Sequence, residues 1–286
     1  MTLMFHILHK KPMTYMLKSC DTDTDSISPR QLEFLKKELH TKRTIATLRI
    51  LLLLAFLLLW ELTSKYGMID SFFFSSPSKV FASFLFSIKE KQLFMHVSIS
   101  LLETLVSFLL IMLFSLLTAS VLWRFDMISK ILEPLLVLLN SLPKSALAPL
   151  IIVWLGTGIK TIVVCGISVA IFGCIINLYT AFLSVDPEKQ KLITILGGKK
   201  RHIFTMVILP SNLGTIVSNM KVNIGLALVG VMIGEFLAAK RGLGYLIIYS
   251  SQVFELDLLI LCIVILCIIA VILYQTIHFV EKKICA

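Results

Sequence analysis

Polar side chains set inside long apolar runs are where this sequence could do chemistry. Asn140 and Ser141 interrupt one run, Asn177 sits in a second, and Ser218, Asn219 and Asn223 in a third. Amides and hydroxyls carry donors and acceptors together, so they can pass a polar solute through apolar surroundings or bond one helix to the next. Asn140, Ser141, Asn177, Asn219 and Asn223 are therefore candidate lining of a translocation path, with interhelical hydrogen bonding as the other reading. Lys221 is the charged exception: it either snorkels or pairs with Glu103 or another acid, or it attracts an anionic solute. Glu235, just before the Gly242-Leu243-Gly244 turn, is expected to organise an outer loop.

Other chemistry is absent. There is no GxxxxGK[ST] loop to cradle phosphates, no HExxH, no GxSxG, and no pair of carboxylates spaced for acid–base work. Six cysteines and six histidines are scattered without metal-ligand spacing. No catalytic residue, metal or cofactor is expected, and the chain does not read as an enzyme.

The elements that must hold these residues follow from composition. Hydrophobic residues make up 57% of 286 and charged residues only 15%, with a mean hydropathy of +0.93. Soluble domains are about 45–50% apolar and about 25% charged, so the excess must face lipid. The expected fold is all-α and polytopic, with about six transmembrane helices: 45–63, 97–123, 131–155, 161–185, 214–238 and 258–280. The third is expected to break at Asn140-Ser141-Leu142-Pro143-Lys144 and again at Pro149, since proline removes a donor and crowds the preceding turn. Gly166 and Gly173 should let neighbouring helices approach closely. Residues 1–44 form an N-terminal extension with a surface helix that begins at Pro29, and 45–283 form the membrane domain. The stretch from Val80 to Ile88 is too short to span and should lie at the interface or on the bundle.

Topology follows from Lys and Arg, which favour the cytoplasmic side. Eighteen fall on the side holding both termini and the 186–210 loop, against seven on the other. Both termini and that loop are therefore expected in the cytoplasm. The net charge of +10 has the same origin, and no nucleic-acid partner is needed to explain it.

The 186–210 loop is the longest polar interruption between two strongly apolar segments. It reads as two short helices hinged at Gly197-Gly198. Its pattern resembles the cytoplasmic loop of the permease subunits of ATP-binding-cassette importers, the branch associated with nitrate, sulfonates and taurine. That pattern is Glu-Ala-Ala, three residues, Gly, nine residues, Ile-x-Leu-Pro. Gly197 followed by Val207-Ile208-Leu209-Pro210 fits, whereas Lys191, Leu192 and Ile193 stand where the family has Glu-Ala-Ala. Three further stretches resemble family landmarks: Trp60-Glu61 with Ser76-Pro77-Ser78, the run from Leu142-Pro143 to Trp154-Leu155-Gly156, and Gly234-Glu235-Phe236 with Gly242-Leu243-Gly244-Tyr245.

The resemblance implies a type I importer permease-like fold and a set of partners. A separate ABC ATPase subunit would receive the loop through Lys191, Leu192, Ile193, Gly197, Gly198 and Pro210, with Lys191 implying a more acidic groove. An extracytoplasmic solute-binding protein would deliver a sulfonate, nitrate, taurine or vitamin precursor to a permease homodimer in membrane lipid. The alternatives are an ion-coupled secondary transporter or channel and a non-transporting membrane scaffold.

Overall fold

The computed structural model describes residues 29–67, 70–90 and 92–285. The acidic stretch from Asp21 to Asp25 lies outside them. All regular elements among the described residues are helical.

The chain divides into two compact units, 1–79 and 80–286. The first is dominated by α1 (Pro29–Lys65). Pro29 is its first residue, where a missing N–H costs nothing. Its 37 residues run uninterrupted over about 55 Å, so the expected surface helix and first span are one continuous rod. The apolar window is Thr47–Lys65, with Leu51, Leu52, Leu53, Leu54, Leu58 and Leu59 all exposed, as a lipid-facing helix requires. After a single turn, α2 (Ser71–Phe74), the chain returns to α1. Glu61 accepts the Ser78 hydroxyl at 2.7 Å and the Ser78 N–H at 3.1 Å, at the start of α3 (Pro77–Glu90), while the Trp60 indole donates to the Phe74 carbonyl. The two early sequence landmarks are thus the two sides of one helix cap.

The second unit is built on three long helices: α4 (Leu93–Arg124), α7 (Ile159–Leu183) and α11 (Leu213–Ala238). The central helix α7 packs against both others, and α13 (Leu256–Cys285) packs on α11. Lipid is as apolar as leucine, so contact between such helices depends on small residues and close approach. A Cβ on Gly230 would lie 2.8 Å from the Gly166 Cα, so α11 and α7 touch through their backbones there. Gly230 and Gly234 form a small-xxx-small pair. The buried face of α4 contributes Ser100, Thr104, Ser107 and Ser115. Thr104, Ser107 and Ser115 donate to carbonyls one turn back, which removes the cost of burying their hydroxyls. In α3, Val80, Phe84 and Ile88 pack against the core, so this short helix is part of the bundle.

Between α4 and α7 lie α5 (Asp126–Ser141) and α6 (Lys144–Leu155), bent by 98° at Leu142-Pro143. Five described helices are long and apolar enough to cross a membrane, and this bent pair, counted as one broken span, makes six. The bend falls where Pro143 was expected to act. Lys144 donates back to the Asn140 carbonyl, occupying an acceptor the break leaves open. Pro149 does not break the chain and lies inside α6, as Pro134 lies inside α5. Gly173 faces the Asn140 side chain rather than a helix backbone.

Candidate functional site

The loop after α7 begins with a designed-looking helix start: the Asp186 carboxylate accepts the Glu188 N–H at 2.8 Å, and Pro187 opens α8 (Pro187–Ile195). α8 ends in a Schellman turn. Gly197 N–H donates to Thr194 O at 3.0 Å and Gly198 N–H to Ile193 O at 2.8 Å. Gly197 has φ +80°, and a Cβ on Gly198 would lie 2.8 Å from the Ile193 carbonyl. The turn therefore requires both glycines, for different reasons: backbone handedness at one, space at the other.

Beyond the turn the chain runs through α9 (Lys200–Ile203), a π-helical turn (Phe204–Ile208) and α10 (Leu209–Ser211). The π turn precedes Pro210, whose ring would crowd the Met206 carbonyl in a regular helix. Leu209 N–H instead bonds Phe204 O, five residues back.

The two halves of the loop differ in burial. α8 has no buried residue. Lys191 and Leu192 are exposed, Ile193 packs partly against the core, and Ile195 and Leu196 are 82% and 74% exposed. In the second half Ile203 and Ile208 are buried. The Phe204 ring sits between Trp123 at the end of α4 and Phe182 at the end of α7, with centroids 5.3 and 5.6 Å away. Pro210 is exposed. The sequence reading missed Ile195, Leu196 and this aromatic anchor. Position alone distinguishes an exposed isoleucine from a buried one only after the helix is docked.

The candidate path residues are only partly assembled. Asn177 donates to Asn219 at 3.4 Å, joining α7 to α11. Asn223 lies beside Cys174, whose thiol contacts the Ser115 hydroxyl at 3.1 Å, so α4, α7 and α11 meet at one polar cluster. Asn140 faces α7 at Gly173, one turn before Asn177. Ser141 bonds its own helix at the Val137 carbonyl. Lys221 pairs with Glu281 on α13, which also meets His278. Glu103 is not its partner.

Glu103 instead meets Glu235, and both are 1% exposed. Glu235 accepts the Ser100 hydroxyl and the Gly244 N–H, each at 2.6 Å. Ser100 Oγ accepts the Leu243 N–H, and His96 Nδ1 accepts the Gly242 N–H. This clamp joins α4 and α11 to the start of α12 (Leu243–Gln252). Glu235 thus organises the Gly242-Leu243-Gly244 turn, and Glu103 adds a second carboxyl that spacing could not reveal.

Residues 111–284 match the family described as binding-protein-dependent transport system inner membrane component. A probable ABC transporter permease protein of Haemophilus influenzae is 29% identical over 227 residues, covering 79% of this chain and 92% of that protein. The formylaminopyrimidine transport permease protein ThiX of Halalkalibacterium halodurans is 26% identical, covering 68% and 77%. The putative aliphatic sulfonates transport permease protein SsuC of Bacillus subtilis is 23% identical, covering 91% and 94%. The fold is similar to a chain of the MetNI methionine ABC transporter in an inward-facing conformation, with TM-score 0.61 at 15% identity, covering 68% of this chain and 99% of that one. The chain belongs to the family of binding-protein-dependent transport system inner membrane components.

Proposed function

We propose that the 186–210 loop docks this permease on a separate ATPase subunit, so that ATP turnover there drives import of a small polar nutrient. As a member of its family the chain is a multi-pass membrane permease subunit and not itself an enzyme. The observation that carries the proposal is α8: a helix outside the apolar spans with no buried residue, presenting Leu192, Ile195 and Leu196. Exposed apolar side chains of this size, rimmed by Lys189 and Lys191, suit a partner groove. The second half of the loop, fixed to the ends of α4 and α7 by Phe204, would pass motion between that partner and the bundle.

The nutrient class is read from relatives: one is named for a formylaminopyrimidine and another for aliphatic sulfonates. A binding protein outside the membrane would deliver the solute to a permease pair. Asn140, Asn177, Asn219 and Asn223 then line part of its route, and Lys191, Leu192, Ile193, Gly197, Gly198 and Pro210 shape the docking loop.

The test is reconstitution in vesicles with ATPase and binding protein. Uptake should need ATP and both partners. Uptake by the purified chain alone, driven by an ion gradient, would establish the secondary-transporter reading instead.

A further inference from the structure

One cavity stands apart from the candidate path and lies where the 186–210 loop meets the ends of two long helices. It holds about 250 Å³ and is lined by Trp123, Asp126, Leu183, Gln190, Lys200 and Ile203. These residues come from five helices. Trp123 and Leu183 lie in the last turns of two membrane spans, Asp126 opens α5, Gln190 belongs to α8, and Lys200 and Ile203 to α9. The cavity therefore lies at the ends of two long apolar helices, with half its lining residues apolar. Drug-sized sites hold about 300–1,000 Å³, so it suits a small polar head rather than a whole nutrient.

Its polar groups are unspent. Among the described residues neither Asp126 nor Lys200 takes part in an ion pair. Gln190 donates its amide to the Val185 carbonyl at 3.0 Å, which leaves its side-chain oxygen as an acceptor. The lining residues thus include donors for an anion, Lys200 and Trp123, and acceptors for a cation that can donate, Asp126 and Gln190.

We propose that this cavity seats the head of an ethanolamine phospholipid, its phosphate on Lys200 and Trp123 and its primary ammonium on Asp126 and Gln190. An anion alone would leave Asp126 facing like charge, and a quaternary ammonium has no N–H for Asp126 or Gln190 to accept. A lipid source fits because Leu183, exposed at the end of a long apolar helix, borders the cavity. The bound head would touch the loop on both sides of the Gly197 turn, through Gln190 and Lys200. The placement in the inner leaflet rests on the cytoplasmic reading of the loop.

The test is native mass spectrometry of the full-length permease, without ATPase, extracted from vesicles of equal phosphatidylethanolamine, phosphatidylcholine and phosphatidylglycerol. Phosphatidylethanolamine should be retained over both others. Lys200→Gln and Asp126→Asn should each cut that retention about tenfold, the loss of one charge-assisted bond. Both side chains are at the surface, and unchanged thermal unfolding would show the variants folded. Wild-type retention by the variants, or equal retention of phosphatidylcholine, would overturn the site. Phosphatidylglycerol in its place would overturn the zwitterionic assignment. Displacement by millimolar O-phosphoethanolamine would overturn the lipid source. None of these outcomes depends on ATPase docking, so the two proposals can fail separately.

Discussion

The clamp around Glu235 and the 186–210 loop solve opposite problems. At the clamp, polar groups are buried and bonded: Glu235 to Ser100 and Gly244, Ser100 to Leu243, His96 to Gly242. On α8 the apolar Leu192 and Ile195, with Leu196 just beyond it, are exposed, and only Ile193 packs partly against the core. A buried, satisfied polar network fixes one geometry because every alternative leaves a donor or acceptor unpaired. An exposed apolar helix fixes nothing within its own chain, and its stabilisation waits for a partner. The contrast predicts that changes at the clamp alter stability, whereas changes on α8 alter coupling alone.

Glu235→Ala should have the largest effect on stability. It strands the Ser100 hydroxyl, the Gly244 N–H and the Glu103 carboxyl together, a loss of about 3 kcal/mol. Denaturant unfolding in detergent would measure it, and a change within about 0.5 kcal/mol would erase the contrast. Gly197→Val comes next. Valine at φ +80° costs about 1–2 kcal/mol locally and re-aims α8, so the protein should insert normally but fail to stimulate its ATPase. Stimulation at the wild-type rate would break the docking proposal.

Asn177→Ala removes one interhelical hydrogen bond, worth about 0.6 kcal/mol in membranes. If the cluster lines the path, uptake should fall far more than stability does, and a proportionate fall in both would mark it as structural. The double variant Ile195→Asp with Leu196→Asp should leave unfolding unchanged, because neither side chain is buried, while abolishing co-purification with the ATPase. Any sizeable destabilisation would mean that α8 is part of the fold.

The spans were legible because lipid imposes a length and a composition on consecutive residues. The fourth span, for example, was expected over 161–185 and is Ile159–Leu183. The break at Pro143 was legible for a local reason too, but Pro149 was not distinguishable from it by residue type alone. Glu103 and Glu235 are 132 positions apart in sequence and meet only through helix packing. Ser141 carries the polar signature of a path residue and spends it on its own helix. Within the loop, the spacing from Gly197 to Pro210 marked the turn. Which of its apolar residues face the bundle was hidden because the helical period is reset on the way.

That reset has a consequence of phase. In an α-helix, residues five apart point about 140° away from one another. Ile203 and Ile208 are five apart, and both are buried. The wider winding from Phe204 to Ile208 takes up the surplus angle, bringing both isoleucines round to the bundle. Inserting one residue into this turn would keep the loop's helices, yet set the two isoleucines six apart and rotate one of them outward. The length of this short stretch, and not only its sequence, sets the azimuth at which the loop enters the membrane.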